Sequence, residues 1–532
     1  MKNYFFIDLD IHYNIILMLQ LSFCIQQTGV RRKKKKKLQN YQNYGLHVIL
    51  EMPYIYYHPY ESVLLIRKYA CENLEKCDDN IICSFLLQLV QALRYEPFDY
   101  QKSYLAQFLI EKAGKNTEIS ILLYWYIFVE CDNSGNINQI VSEWYNQVLQ
   151  CLKEFLLENN SQNFEVLQTQ IAFREDLQKM VKSLKGKERP AQIEIIKQTL
   201  KDDKFKHPQF QKHPFCLNPK LILVESIHEK STVFKSAMAP IKMTFLTHPV
   251  DNPQQKCEVE MIYKNGDDLR QDQLVMQIFN LMDNLLKGVS QDFKLMPYKV
   301  LACSKSDGFM QFVPNSTTIQ EVLSKDKNIS NYFEKLIQNP KNPLYDNFRD
   351  KGEEYIQKLI QEKQIQQQIM ENYMLSCAGY SVMTYFLGVG DRHLENLMID
   401  FTGKFFHIDF GFILGQDPKP YAPPLKLCKQ MVEGMGGVQS KVYQDFKKKC
   451  VNAYIYLRKY AKLIVNLFYL MIDSGIKDIN IEALEKLVDK FNLDSNDQQV
   501  ELHFLNILEE SVSALFPIIN DIIHRWAGYW RA

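Results

Sequence analysis

One stretch, Gly388 to Gly411, GVGDRHLENLMIDFTGKFFHIDFG, constrains the chain more than any other. Two β-prone runs, Leu397 to Ile399 and Phe405 to Ile408, flank a Thr402-Gly403 turn signal and read as a hairpin. With Thr402 and Gly403 as the two turn residues, Asn396 faces Asp409 across the ladder, with Cβ atoms roughly 4.5 to 5.5 Å apart. A loop of three to five residues shifts the pairing by about a residue and still leaves the two side chains near each other. An amide oxygen beside a carboxylate suits a hard divalent cation, Mg²⁺ or Mn²⁺, which takes few protein oxygens and fills its shell with water and phosphate. The spacing therefore predicts a metal pair, Asn396 and Asp409.

The order of the motif carries further information. The protein-kinase template puts a catalytic Asp before a metal-binding Asn and follows both with Asp-Phe-Gly. Here the first triplet is Asp391-Arg392-His393, followed by Asn396 and then Asp409-Phe410-Gly411. Seven specified residues at fixed spacing arise by chance with odds of about one in a million at average residue usage. The reversed triplet followed by HIDFG resembles the phosphoinositide 3- and 4-kinases and the related large protein kinases. That resemblance implies an ATP-dependent phosphotransferase with Asp391, Arg392 and His393 in the catalytic loop. Either Asp391 or His393 could accept the proton of the attacking hydroxyl, and the resemblance favours His393.

Length and charge set the frame. The 532 residues exceed one core, so two or three domains are expected. A formal net charge of +1 argues against a dedicated nucleic-acid binder. Twelve cysteines without a C-x-x-C pair fit reduced thiols in the cytosol. Residues 1–53 receive no function: the apolar run Ile11 to Ile25 is short and interrupted, and the basic run Arg31 to Lys37 reads as a solvated, disordered charge run.

Residues 54–200 read as an all-α solenoid scaffold. Its stripes are Leu86, Leu87, Leu89, Val90 and Leu93, then Leu105, Phe108 and Leu109, then Ile119 to Val129, with Pro97, Gly114 and Asn116 in short connectors. Residues 201–218 read as a linker, and 219–532 as an α+β bilobal kinase-like catalytic domain with lobes at about 219–313 and 314–532. LLQLVQALRYEPFD and LLYWYIFVEC resemble the helical domain of class III phosphatidylinositol 3-kinases.

Within the first lobe, Ser236, Ala237 and Met238 form a small-residue hairpin tip whose backbone N–H groups could approach phosphates. FKSAMAP resembles the phosphate-binding loop of the lipid kinases. Alternation from Glu258 to Lys264 puts Ile262 and Lys264 on one strand face, fit for adenine and phosphate. After GDDLRQDQ, Leu274, Val275, Ile278, Leu281, Met282 and Leu285 mark an amphipathic helix with Asp272 in its first turn. The kinase analogy makes Lys264 the phosphate anchor and Asp272 its orienting partner. Asp307-Gly308 reads as the turn of a hairpin. The resemblance implies that Gln311, Phe312 and Val313 form the adenine hinge, with Tyr298 deeper in the pocket and Met398 and Ile408 lining the nucleotide site. Asn328 to Asn372 shows little periodicity before Tyr355 and reads as a variable lobe connection, with Met374 to Gly388 an apolar helix beyond it.

Phe412 to Met435 is the expected activation loop. Lys419 and Lys426, separated by prolines and offset by Asp417, suit phosphatidylinositol without extra phosphates. DPKP and VEGMGG resemble the class III loop, although Gln416 stands where that family usually carries Arg. The β-sandwich domain that usually precedes the helical domain in that family is not visible in the sequence. The resemblance implies phosphatidylinositol 3-phosphate synthesis on endosomal or autophagic membranes, as a cytoplasmic peripheral protein with a regulatory kinase-like subunit and coiled-coil subunits. A phosphatidylinositol 4-kinase and a phosphoinositide-kinase-related protein Ser/Thr kinase are the rival readings. The terminal stripe Leu505, Leu508, Val512, Leu515, Ile519, Ile522 and Trp526, with Tyr529 and Trp530, fits either a membrane interface or a helix docked on the core.

Overall fold

Helices dominate the first part of the chain because apolar stripes at helical spacing alternate with side-chain caps. The computed structural model describes residues 59–132, 139–205, 213–235, 238–339, 341–347, 354–419 and 423–515. The readings for residues 1–53, for Ser236 and Ala237, and for Trp526, Tyr529 and Trp530 lie outside the described residues. Seven α-helices come first: α1 (Pro59–Leu74), α2 (Asp79–Ala92), α3 (Tyr104–Lys115), α4 (Thr117–Glu130), α5 (Gln139–Asn159), α6 (Ser161–Leu184) and α7 (Arg189–Leu200). Asp78, Ser103, Asn116 and Asn160 accept hydrogen bonds from the first-turn amides of α2, α3, α4 and α6, satisfying donors that the helices cannot. Helix α4 is apolar on nearly every side and packs against α2, α3, α5 and α6. Gly114, expected in a connector, is instead in the last turn of α3, against Phe155.

The expected linker ends early. Pro214–Phe215 form strand β1, the first of a seven-stranded antiparallel sheet that includes β2 (Asn218–Ser226), β3 (Thr232–Val233), β4 (Ile241–Pro249), β5 (Cys257–Asn265), β6 (Val300–Ala302) and β7 (Asp307–Gln311). The strand order is β1-β2-β4-β5-β7-β6, with β3 paired to β4. Helix α8 (Arg270–Gly288) lies in the same lobe and packs against β6. The turn expected at Asp307-Gly308 lies elsewhere. Ala302 pairs with Gly308, so the chain reverses through Ser304 to Ser306 and Asp307 begins β7.

The second lobe holds β8 (Ser316–Thr318), α9 (Ile319–Asp326), α10 (Ile329–Gln338), α11 (Leu344–Asn347), α12 (Glu354–Phe386), β9 (Leu397–Asp400), β10 (Phe405–His407), α13 (Lys429–Gly434), α14 (Lys441–Arg458), α15 (Ala461–Tyr469), α16 (Ile481–Lys490) and α17 (Asp497–Leu515). The reading of Asn328 to Asn372 as an unpatterned connection is corrected. Ile329, Tyr332, Phe333 and Leu336 are buried along one face of α10, which Asn328 caps. Cysteines throughout the described residues are free thiols. No helix among the described residues is long and apolar enough to cross a membrane.

Helical scaffold and kinase-like lobes are joined by polar contacts, most of them part-buried. Arg174 of α6 grips Asp307 with Nε at 2.8 Å and Nη2 at 2.6 Å, and Tyr263 donates to the same carboxylate at 2.8 Å. Burial pushes the Asp307 carboxyl up, but these donors outweigh it and hold it below its ordinary value. Gln88 and Gln277 exchange reciprocal bonds of 2.9 and 2.7 Å, and Tyr95 donates to Asp473 at 2.8 Å. Breaking a buried pair strands its partner, so Arg174→Met should lower the unfolding free energy at pH 7 by about 3 kcal/mol. Because the native carboxyl is held low, this contribution is present above the unfolded value of about 4 and is lost as pH falls through the native one. Urea unfolding of both proteins at several pH values checks this; a loss below about 1 kcal/mol at pH 7 would contradict it.

Candidate active site

The hairpin forms, with a register one residue from the expected one. Phe405 pairs with Ile399, Phe406 with Met398 and His407 with Leu397, so Asn396 sits opposite Ile408, whose N–H donates to the Asn396 carbonyl at 3.1 Å. The cause is the turn. Asp400 accepts from the Gly403 N–H at 3.0 Å and donates its own N–H to Lys404 at 3.0 Å, giving a three-residue loop with Gly403 at φ +84°. The Asp400 carboxylate holds the loop by accepting from the Thr402 and Lys404 amides, each at 2.8 Å. Asp409 therefore lies one position beyond the cross-strand partner of Asn396.

Asp391 and Asp409 both adopt left-handed backbone, at φ 48° and 62°. Such conformations are costly for residues with a Cβ and persist only where neighbours hold them. Arg392 supplies much of that hold. Its Nε donates to the Gly390 carbonyl at 2.9 Å, Nη1 to Ile408 at 2.7 Å and Nη2 to the Asp409 carbonyl, while the guanidinium stacks on Phe410 at 5.5 Å. The side chain read as catalytic is committed to fastening the two halves of the motif. Asn396 donates Nδ2 to the Asp391 carbonyl at 3.1 Å, which turns its amide oxygen toward other partners. His393 is exposed and Asp391 half-buried.

From the other lobe, Ile262 and Lys264 share the β5 face opposite the buried Met261 and Tyr263, as alternation required. Lys264 Nζ pairs directly with Asp267 at 3.0 Å rather than with Asp272. Asp272 accepts from the Phe410 N–H at 3.2 Å, and Lys264 acts on it through space. Burial, then the negative charge of Asp409, raise the Asp272 carboxyl to about 6 against the pull of Lys264. Asp409 also acts through space on Lys264, Arg392 and Tyr298, so these groups lie near one another. Tyr298 is buried, and its hydroxyl has no hydrogen-bond partner among the described residues.

Among the nucleotide-site residues, Met238 is exposed and its thioether lies against Gly266, next to Lys264 in the chain. The Phe312 N–H is used by Glu260 at 3.1 Å, and its ring meets Lys242 at 4.1 Å. Val313 is buried and Gln311 closes β7. Met398 and Ile408 are half-buried on either strand of the hairpin. Lys419 is exposed, whereas Lys426 is tied to Asp417 at 2.9 Å and to the Pro423 carbonyl at 3.1 Å. Two residues missed in the sequence belong to the site. Asp267 is the direct partner of Lys264, and Gln271 donates to the Phe410 carbonyl at 2.8 Å. Both sit in GDDLRQDQ, where the density of acidic and amide side chains before a helix was the available signal.

No cluster of three His, Cys, Asp or Glu side chains able to hold a metal occurs among the described residues. A cation held by Asn396 and Asp409 would thus need oxygens from water and phosphate, the ligand set Mg²⁺ prefers. The exposed Asp409 carboxylate, bonded to the Gly411 N–H at 3.3 Å, and the amide oxygen of the buried Asn396, whose nitrogen is occupied by the Asp391 carbonyl, fit that role.

Residues 258–481 match the family of phosphatidylinositol 3- and 4-kinases, and residues 35–169 match the accessory (PIK) domain of the phosphoinositide 3-kinase family. The second match starts before residue 54, where the helical region was expected to begin. The chain is 38% identical over 483 residues to phosphatidylinositol 3-kinase VPS34 of Arabidopsis thaliana, covering 88% of this chain and 55% of that protein. It is 39% identical over 480 residues to phosphatidylinositol 3-kinase pik3 of Schizosaccharomyces pombe, covering 88% and 56%. The chain spans about half the length of the curated relatives it matches.

Close packing of the two catalytic segments yields a test. A Cβ on Gly390 would meet the Gln416 carbonyl oxygen at 2.2 Å, and the Gly390 N–H bonds Phe412 O at 2.8 Å. Gly390→Ala should therefore cost about 2 kcal/mol in urea unfolding and speed amide exchange at residue 390 about tenfold or more. Wild-type exchange at that amide would contradict the arrangement.

Proposed function

We propose that this chain, which belongs to the phosphatidylinositol 3- and 4-kinase family, transfers the γ-phosphate of ATP to the 3-hydroxyl of phosphatidylinositol. The carrying observation is the clustering around Asp409 of the Arg392-braced catalytic loop, of Asp272, which accepts from the Phe410 N–H, and of Lys264, whose charge acts on Asp272. Phosphoryl transfer asks a protein mainly to position reactants and to balance charge, and each of these groups has such a task.

Asn396 and Asp409 are the ligands we assign to a divalent cation, Mg²⁺ or Mn²⁺, which when bound neutralises charge on the nucleotide phosphates. Lys264, steadied by Asp267, anchors phosphate oxygens, and we assign the backbone N–H groups of Ser236 to Met238 to the same phosphates. The main chain of Gln311 to Val313 receives adenine, within walls that include Ile262, Tyr298, Met398 and Ile408. Because the Phe312 amide already serves Glu260, we assign adenine recognition to the Gln311 carbonyl and the Val313 amide. At the attacking hydroxyl we assign proton acceptance to His393, whose imidazole is exposed on the catalytic loop. Asp391 positions Asn396 through its carbonyl.

Lys426 is partly neutralised by Asp417 and Lys429 by Glu433, while Lys419 of the same loop is exposed. Such a modest charge suits a single phosphodiester headgroup better than a ring bearing further phosphates. The names of the relatives support the same substrate class. Action at endosomal or autophagic membranes, with a kinase-like regulatory subunit and coiled-coil subunits, completes the proposal.

The test is incubation of the purified chain with ATP, Mg²⁺ or Mn²⁺ and vesicles holding phosphatidylinositol, followed by identification of the product isomer. Phosphatidylinositol 3-phosphate is expected; the 4-phosphate, or transfer only to protein, would overturn the assignment. Asp409→Ala should lower turnover by about a thousandfold or more with the unfolding midpoint unchanged, and near-normal turnover would refute its role.

A further inference from the structure

Each polar side chain from Asp268 to Gln273 has its own partner, and only Asp272 has so far been given a task. Asp268 holds Arg270 at 2.7 Å, and Arg270 reaches the Ser474 carbonyl at 2.8 Å and the Gly475 carbonyl at 3.3 Å. Gln273 accepts from the Ala302 N–H at 2.8 Å, seating α8 on β6. Gln271 is the bridge. Its Nε2 donates to the Phe410 carbonyl at 2.8 Å and to Asp478 Oδ2 at 3.0 Å. The same Asp478 oxygen accepts from the Ile413 N–H at 2.9 Å. Gln271 and Asp478 are buried, at 7% and 4% exposure, so neither is competing with solvent for these bonds.

The chemistry of the bridge fixes its orientation. Two acceptors, a carbonyl and a carboxylate, face the Gln271 amide, so its nitrogen must point at them; its Oε1 is buried without a partner. Asp478 thereby clamps both ends of residues 410–413, the carbonyl of Phe410 through Gln271 and the amide of Ile413 directly. That segment follows Asp409, whose left-handed φ of 62° persists only if its neighbours are held. The turn that carries Asp478 is seated on the helical scaffold by Tyr95 on Asp473 and on α8 by Arg270 on residues 474 and 475.

We propose that Asp478 is a positioning residue for phosphoryl transfer: with Gln271 it fixes the backbone after Asp409 and so the aim of the Asp409 carboxylate at the cation. This rests on the phosphotransferase reading above. Asp478 touches neither nucleotide nor lipid in this scheme, so its loss should change the metal requirement and leave lipid affinity alone.

The test uses the full chain with Asp478→Ala, Asp478→Asn and Gln271→Met. In the metal-free protein, amide exchange at Phe410 and Ile413 should accelerate about tenfold or more in Asp478→Ala, with α2 to α4 and α12 unchanged. The Mn²⁺ concentration for half-maximal turnover should rise, and kcat fall, by about tenfold or more, while the KM for phosphatidylinositol stays within about twofold. Asp478→Asn keeps an acceptor oxygen and should recover most of the loss. Gln271→Met should reproduce the metal effect, and the double variant Gln271→Met with Asp478→Ala should be little worse than either alone. If Asp478→Ala does not fold, Gln271→Met carries the exchange and metal readouts on its own. Exchange at Ile413 and metal requirement within about twofold of wild type in every folded variant would overturn the proposal. Wild-type protein that shows the protected amides but transfers no phosphate from ATP would sink the phosphotransferase reading instead, and with it the catalytic meaning of the clamp.

Discussion

A single backbone conformation, the left-handed peptide at Asp409, is what the rest of this site is built to hold. The conformation costs free energy on its own, of order 1 to 3 kcal/mol, and three directions supply restraint. Arg392 pulls on the Asp409 and Ile408 carbonyls from the catalytic loop. Asp272 takes the Phe410 amide from the other lobe. Gln271 and Asp478 take the Phe410 carbonyl and the Ile413 amide from α8 and the segment before α16. A carboxylate meant to grip a cation cannot wander, because misplacement by about an ångström is costly in transfer chemistry.

Charge arrangement follows from the same geometry. Burial and Asp409 push the Asp272 carboxyl up while Lys264 draws it down, so a second negative charge beside Asp409 is resisted by its surroundings and favoured only by the nearby ammonium. The helical scaffold is part of this frame rather than an appendage. Its Arg174 reaches a fully buried carboxylate at the start of β7, and its Tyr95 reaches the turn that carries Asp478. The scaffold contacts both lobes through a few short polar bonds.

Much of this was legible in the sequence, and the failures have physical causes. The helical stripes of α2 to α4, the alternation of β5 and the hairpin carrying Asn396 and Asp409 were readable because burial imposes periods of 3.6 and 2. The hairpin register was off by one because the loop type depends on the Asp400 carboxylate and on Gly403 at positive φ, which a two-residue turn signal does not separate from a three-residue one. Asp307-Gly308 looked like a turn by local chemistry, but a tertiary partner, Arg174, made Asp307 worth burying in a strand. Arg392 was placed in the catalytic loop by its position in the motif, and its bonds to the Gly390, Ile408 and Asp409 carbonyls had no sequence signal because they depend on how the two halves of the motif fold together. Asp478 carried no local signal, since its partners lie on α8 and after Asp409, far away in the chain.

The account turns on two oxygens, one from the amide of Asn396 and one from the carboxylate of Asp409, sharing a cation at the nucleotide phosphates. Crystals of the chain grown with Mn²⁺ and a non-hydrolysable ATP analogue, with data collected at the manganese edge, address this directly. The expected result is an anomalous peak about 2.1 Å from both Asn396 Oδ1 and an Asp409 carboxylate oxygen, its other ligands being phosphate and water. A nucleotide-bound manganese ligated by neither residue, with Asn396 and Asp409 facing separate surroundings, would contradict it.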